Sequence, residues 1–116
     1  MTASKSQSYD AFASQCPSRD ALALVADKWV ILASAGLAHG QMRHGELMKR
    51  IDGISQRMLT RTLREMEAAG LVERRIFAEV PPRVEYTLTS LGASLSGPAA
   101  ALVQWSEARA GEVLRA

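Results

Sequence analysis

A change of period at Gly70 limits what this chain can fold into more than any other feature. Across "ISQRMLTRTLREMEAAG", residues 54–70, an apolar side chain returns every three or four positions, the repeat of an amphipathic helix. Beyond it, "LVERRIFAEVPPRVEYTLT" reads as two β-rich runs around Pro81–Pro82, with Val84, Tyr86 and Leu88 alternating to one side. The period therefore predicts a helix with Ser55 as its N-cap and Gly70 just past its end, followed by a hairpin with a stiff Pro-Pro tip.

The flanking segments supply the rest of a core. "CPSRDALALVADKW" sets a proline and a candidate cap, Ser18, ahead of an apolar run, which predicts a first helix with Leu22, Val25 and Ala26 facing inward. A second helix, Lys28 to about His39, is apolar nearly all round and should be central, stopping at Gly40. In "MRHGELMKRIDG", Leu47, Met48 and Ile51 share a helical face that the Asp52–Gly53 turn closes. Two helices joined by a tight glycine-containing turn make a helix-turn-helix. Thr89 then caps a final helix through Leu91, Leu95, Leu102, Trp105 and Val113, which Gly97–Pro98 should kink or interrupt. Residues 1–15, rich in Ser, Ala and Gln, read as a flexible arm. The expectation is a mainly α fold with a small β-hairpin wing, a winged helix-turn-helix domain over residues 16–116.

Length and composition remove several classes of function. With 116 residues the chain is one small domain, and at that size it buries only about two-thirds of its unfolded surface, so a partner subunit would help it. Apolar residues make up 47% of the chain, too many for wholesale disorder. No apolar run approaches the roughly 20 residues that span a bilayer, and the first residues lack the apolar core of a leader peptide. A single cysteine fits a reducing cytoplasm. There is no nucleophile–base pair, acid pair or phosphate loop, so an enzyme is not expected. His39, His44 and Cys16 lack metal-ligand spacing, so neither a metal nor a cofactor is expected. Trp29 reads as a core residue.

Charge points to the class of partner. The net charge is only +2, but nine of the fourteen Lys and Arg residues lie between Arg43 and Arg83. On a helix at 100° per residue, Met58, Leu59, Thr62, Leu63 and Met66 fall on one side. Gln56, Arg57, Thr60, Arg61 and Arg64 fall on the other, and no carboxylate interrupts them before Glu65. Long, positive and polar side chains at the start of a helix suit the major groove of DNA, where Arg forks onto guanine and Gln onto adenine. Gln56, Arg57 and Arg61 are the candidates for base edges. Ser55, Thr60, Arg64, Lys49 and Arg50 are candidates for phosphates or flanking bases, with Arg75 and Arg83 on the hairpin and Arg83 as the wing contact at the minor groove. The competing reading is a solvated face whose arginines pair with Glu65 and Glu67, or one that binds an acidic protein.

The motifs "CP", "DKW", "MRHGEL", "GISQRMLTRTLREMEAAGLVERRIFAEVPPRVEYTLTSLG" and the late Trp105 resemble the HxlR family of bacterial winged helix-turn-helix transcriptional regulators, over Cys16 to Trp105. The resemblance implies a homodimer paired through terminal helices, here the final helix at about 89–115 with Leu95, Leu102 and Trp105 at the seam. It implies a recognition helix at Ser55–Ala69 and a wing at Arg75–Tyr86. It also implies repression or activation of genes, often for detoxification or stress. A two-fold dimer predicts a pseudo-palindromic operator with recognition helices roughly 34 Å apart or a near multiple. His44 and Gly45 depart from the family's aromatic and polar residues. Gly45 costs roughly 1 kcal/mol relative to Ala inside a helix, so that helix is expected to start later or to be looser.

Cys16 occupies the position where some members of the family carry a redox- or electrophile-sensing thiol, and Arg19 stands close by in sequence. The competing reading is a small residue packed at the dimer seam. A small-molecule effector in an apolar pocket between the last helix and the core is a further reading, and nothing in the sequence identifies its ligand.

Overall fold

The computed structural model describes residues 9–115, so only the last part of the expected arm, residues 9–15, falls within it. The elements are α1 (Pro17–Val25), α2 (Lys28–Leu37), β1 (Met42–Arg43), α3 (His44–Arg50), α4 (Gln56–Ala68), β2 (Val72–Phe77), β3 (Arg83–Leu88) and α5 (Ser90–Val113). The strands form one antiparallel sheet in the order β1-β3-β2. This is the expected winged helix-turn-helix, mostly helical with a small sheet.

Helix α2 is central, as its composition predicts. Asp27 caps it, its carboxylate accepting the N–H groups of Trp29 at 2.8 Å and Val30 at 3.2 Å. Val30, Ala33, Ser34, Gly36 and Leu37 of this helix are buried. Leu47 and Ile51 from α3, Ile54 from the turn, and Leu59, Leu63 and Met66 from α4 close on it, with Leu71, Val72 and Tyr86 from the hairpin. Tyr86 is buried while Val84 and Leu88 pack at the core's edge, the alternation expected of β3. Trp29 packs against the same core, half-buried.

Four local expectations change. Helix α1 is capped by Cys16 and not Ser18, because Pro17, with φ fixed and no N–H to satisfy, takes the first helical position. Its inward face runs through Leu24 and Val25, whereas Leu22 and Ala26 face solvent. Helix α3 begins at His44 in spite of Gly45, held by the Arg43 N–H donating to the Glu46 carboxylate at 2.7 Å. Helix α5 runs unbroken through Pro98. Gly97 explains this: with no Cβ to meet the proline ring, the residue before Pro98 keeps helical torsions. Ala99 is buried beside it, and α5 packs along α2.

The end of α4 is fastened to the start of α5. Gly70 turns the chain at φ +78°, as its predicted place past the helix end requires. The Thr89 hydroxyl accepts the Gly92 N–H at 3.0 Å and donates to the Gly70 carbonyl at 2.5 Å. The Thr89 N–H donates to the Leu71 carbonyl at 3.0 Å. A Cβ added to Gly92 would stand 1.9 Å from that carbonyl oxygen, so only glycine permits the approach.

Candidate nucleic-acid interface

The site begins with the cap of α4. Ser55 lies in extended backbone and its hydroxyl accepts the Met58 N–H at 3.0 Å. The first turn carries no acidic residue, so the positive end of the helix dipole is left uncompensated and available to an anion. Leu59, Thr62, Leu63 and Met66 are buried and Met58 is half-buried, which fixes the rotation of the helix. Gln56, Arg57, Arg61 and Arg64 then face solvent, and with Thr60 and Glu65 they line one shallow groove.

Within that groove, Arg61 Nε lies 3.3 Å from Glu65, with both side chains well exposed. An exposed pair at this spacing holds by only about 0.3–0.5 kcal/mol, so a phosphate or base can take its place. Arg57 and Arg64 form no ion pair among the described residues. The pairing that a merely solvated face would show is thus partial. Glu67 pairs with Arg74 of β2, at 3.7 Å, and not with an arginine of the groove. His44, at the start of α3, reaches into the site. Its Nε2 is 3.3 Å from the Thr60 hydroxyl, a link that joins the two helices of the motif.

The remaining candidates scatter. Lys49 is exposed at the end of α3, while Arg50 beside it lines a different hollow of about 350 Å³ with Leu32, His39 and Glu107, between α2 and α5. On the wing, Arg75 is exposed and forms no ion pair among the described residues. Arg83, expected as the wing contact, has its guanidinium held by Glu79 at 2.7 Å and Glu85 at 3.1 Å, against the Phe77 ring. Burial pushes the Tyr86 phenol above its usual pKa, against the pull of Arg74 and Arg64.

Cys16 is half-buried, with its sulfur 3.1 Å from the Ser18 hydroxyl. That bond, aided by backbone hydrogen bonds at Ser18 and Asp10 and opposed by burial, holds the thiol below the ordinary cysteine pKa. Arg19 is not among the groups that lower it. It donates instead to the carbonyls of Ala11 at 2.8 Å and Phe12 at 3.2 Å. An apolar hollow of about 340 Å³ lies between α1 and α5, walled by Leu24, Val25, Leu71, Leu91, Leu95 and Pro98. Leu95 is half-buried there, whereas Leu102 and Trp105 are about half exposed along α5, at 50% and 54%. Among the described residues no group of three or more His, Cys, Asp or Glu could hold a metal ion, and no helix is long and apolar enough to cross a membrane.

Sequence reasoning missed three features of this region: strand β1, the His44–Thr60 contact, and the carboxylates around Arg83. Only the last left a trace, in the Arg-x-Glu spacing of β3 that puts Arg83 and Glu85 on one face.

Comparison with known proteins agrees with this geometry. Residues 24–113 match the model of the HxlR-like helix-turn-helix family. The HTH-type transcriptional regulator YtfH of Escherichia coli is 42% identical over 103 residues, covering 89% of this chain and 82% of that protein. A solved structure of the transcriptional regulator ytfH from Salmonella typhimurium superimposes with a TM-score of 0.83 at 38% identity, covering 92% of this chain and 96% of the other. The redox regulator HypR in its oxidized form gives a TM-score of 0.74 at 36% identity, covering 80% and 96%.

Proposed function

The chain belongs to the HxlR-like helix-turn-helix family, and on that premise we propose that it regulates transcription in the cytoplasm as a homodimer bound to a pseudo-palindromic operator. Like its relatives it is a regulator and not an enzyme. One observation carries the reading: a stripe of Gln56, Arg57, Thr60 and Arg61, continued by Arg64 and met by no carboxylate before Glu65, at the capped N-terminus of α4, with all but the half-buried Thr60 exposed. Helix α4 enters the major groove with Gln56, Arg57 and Arg61 at base edges. Ser55, Thr60, Arg64 and Lys49 meet phosphates, and Arg50 a flanking one. The wing, Arg75 to Tyr86, lies on the neighbouring backbone or minor groove. The dimer forms through α5, with Leu95, Leu102 and Trp105 at its seam.

Two signals are compatible with the fold. Cys16 has a lowered thiol pKa and a structural relative that is a redox regulator. With no second cysteine in the chain, its oxidation leads to a disulfide between subunits or with a small thiol. The apolar hollow beside α5 would instead take an uncharged small molecule.

The test is a gel-shift titration against the intergenic DNA upstream of the protein's own gene, with excess nonspecific competitor, reduced and after mild peroxide. Retention under competitor is expected. A shift lost on oxidation in the wild type but kept in Cys16→Ser makes Cys16 the switch. Binding that is not retained, together with capture of an acidic protein that duplex DNA fails to displace, would transfer the basic face to a protein partner.

A further inference from the structure

The hairpin register puts Glu85 of β3 opposite Arg75 of β2 and opposite Arg43 of β1, so all three side chains share the outer face of the sheet. Arg83 lies two positions away on that face, at the last pair of the hairpin, opposite Phe77. Its guanidinium carbon stands 4.1 Å from the centre of the Phe77 ring. Its Nη1 is 2.7 Å from Glu79, in the wing loop, and its buried Nε is 3.1 Å from Glu85 without hydrogen-bond alignment. Arg43 Nε reaches the same Glu85 oxygen at 4.0 Å. The Arg83 and Glu85 side chains are only 26% and 16% exposed.

A guanidinium enclosed in this way is poorly placed to meet a phosphate. It would have to leave the ring and both carboxylates, and the two freed carboxylates would then face the DNA backbone. Arg75 has no such ties and is exposed. We propose that Arg83 is a positioning residue that folds the wing loop, residues 78–82, onto the sheet through Glu79, Glu85 and Phe77, and that Arg75 is the guanidinium the wing delivers to the DNA backbone. This rests on the duplex-DNA reading above and would replace Arg83 by Arg75 as the wing contact.

The salt dependence of binding to a mixed-sequence duplex separates the two arginines, because each phosphate neutralised adds about 0.9 to the slope of log K against log [salt]. Arg75→Gln removes the contact from both subunits of the proposed dimer, so it should reduce the slope by about 1.8 and weaken binding equally on all sequences. Arg83→Met combined with Glu79→Gln removes one charge of each sign. It should keep the wild-type slope while speeding hydrogen exchange at the backbone amide of residue 79, which in the unsubstituted chain donates to the Phe77 carbonyl at 2.9 Å. A slope lowered by about 1.8 in that double variant, or an unchanged slope in Arg75→Gln, overturns the proposal. Should the double variant lose its cooperative melt, the exposed Arg75→Gln still decides. A wild-type slope near zero would instead remove the DNA reading beneath it.

Discussion

Arg61 and Gly92 carry opposite kinds of constraint. Arg61 is exposed and weakly paired, so its replacement should leave the fold alone and act on recognition. Arg61→Ala is expected to weaken operator binding by about 1–3 kcal/mol for each half-site and to relax preference at one base position in each. A loss of equal size on every sequence, measured across a panel of single-base operator variants, would make it a phosphate contact. Gly92 touches no ligand in any reading, yet the Leu71 carbonyl leaves no room for a methyl group. Gly92→Ala is therefore expected to cost about 3 kcal/mol or more in urea-unfolding stability. An unaltered midpoint would show that the joint gives way. The two residues also differ in legibility. Arg61 could be read from the sequence because an amphipathic helix fixes which side chains face outward. The need for Gly92, and the fate of Arg83, depend on strands brought together by pairing, and no local pattern states which carboxylate a given arginine meets.

Helices were the legible elements and the sheet was half legible. Helix α4 follows from apolar spacing between a capping serine and a glycine, and α2 from a nearly all-apolar run stopped by Gly40, and their ends fall within a residue or two of the expected places. Strand β1 is two residues long and exists only because Met42 and Arg43 pair with Tyr86 and Glu85. Nothing in "MR" itself favours extension. In α5 the local rule against a helical proline was outweighed by the glycine before it and the packing along α2. The cap of α4 allows a test at this scale. Ser55→Ala should lower stability by about 1 kcal/mol, and Ser55→Gly by only a few tenths, since glycine tolerates the cap position. Both should weaken DNA binding if the Ser55 hydroxyl also meets a phosphate. Thermal melts beside gel shifts would separate the two effects.

The whole molecule is more extended than its length requires. A compact domain of this size has a radius of gyration near about 13 Å, whereas the Cα radius here is 16.2 Å, over extents of 50 × 48 × 23 Å. The excess fits the distal part of α5, where nearly every residue from 101 to 115 is exposed, including Leu102, Trp105, Val113 and Leu114. A helix bearing that many large apolar groups in water is best accounted for by a second subunit, in keeping with the proposed dimer. Trp105→Glu should then yield a monomer by analytical ultracentrifugation and reduce operator affinity by at least an order of magnitude, because two half-sites no longer bind as one. A variant that sediments as the wild type does would move the seam elsewhere. The fastening of α4 to α5 through Gly70, Leu71, Thr89 and Gly92 has a consequence for the DNA. Were α5 on the two-fold axis of the proposed dimer, each α4 would be fixed in the frame of that dimer. One base pair inserted at the operator's centre swings one half-site by roughly 35° and carries it about 3.4 Å further off. A jointed protein would follow that change of phase. This one should let go, and binding across a spacer series should fall to the nonspecific level after a single insertion, as a caliper locked at one gauge misses the next size up.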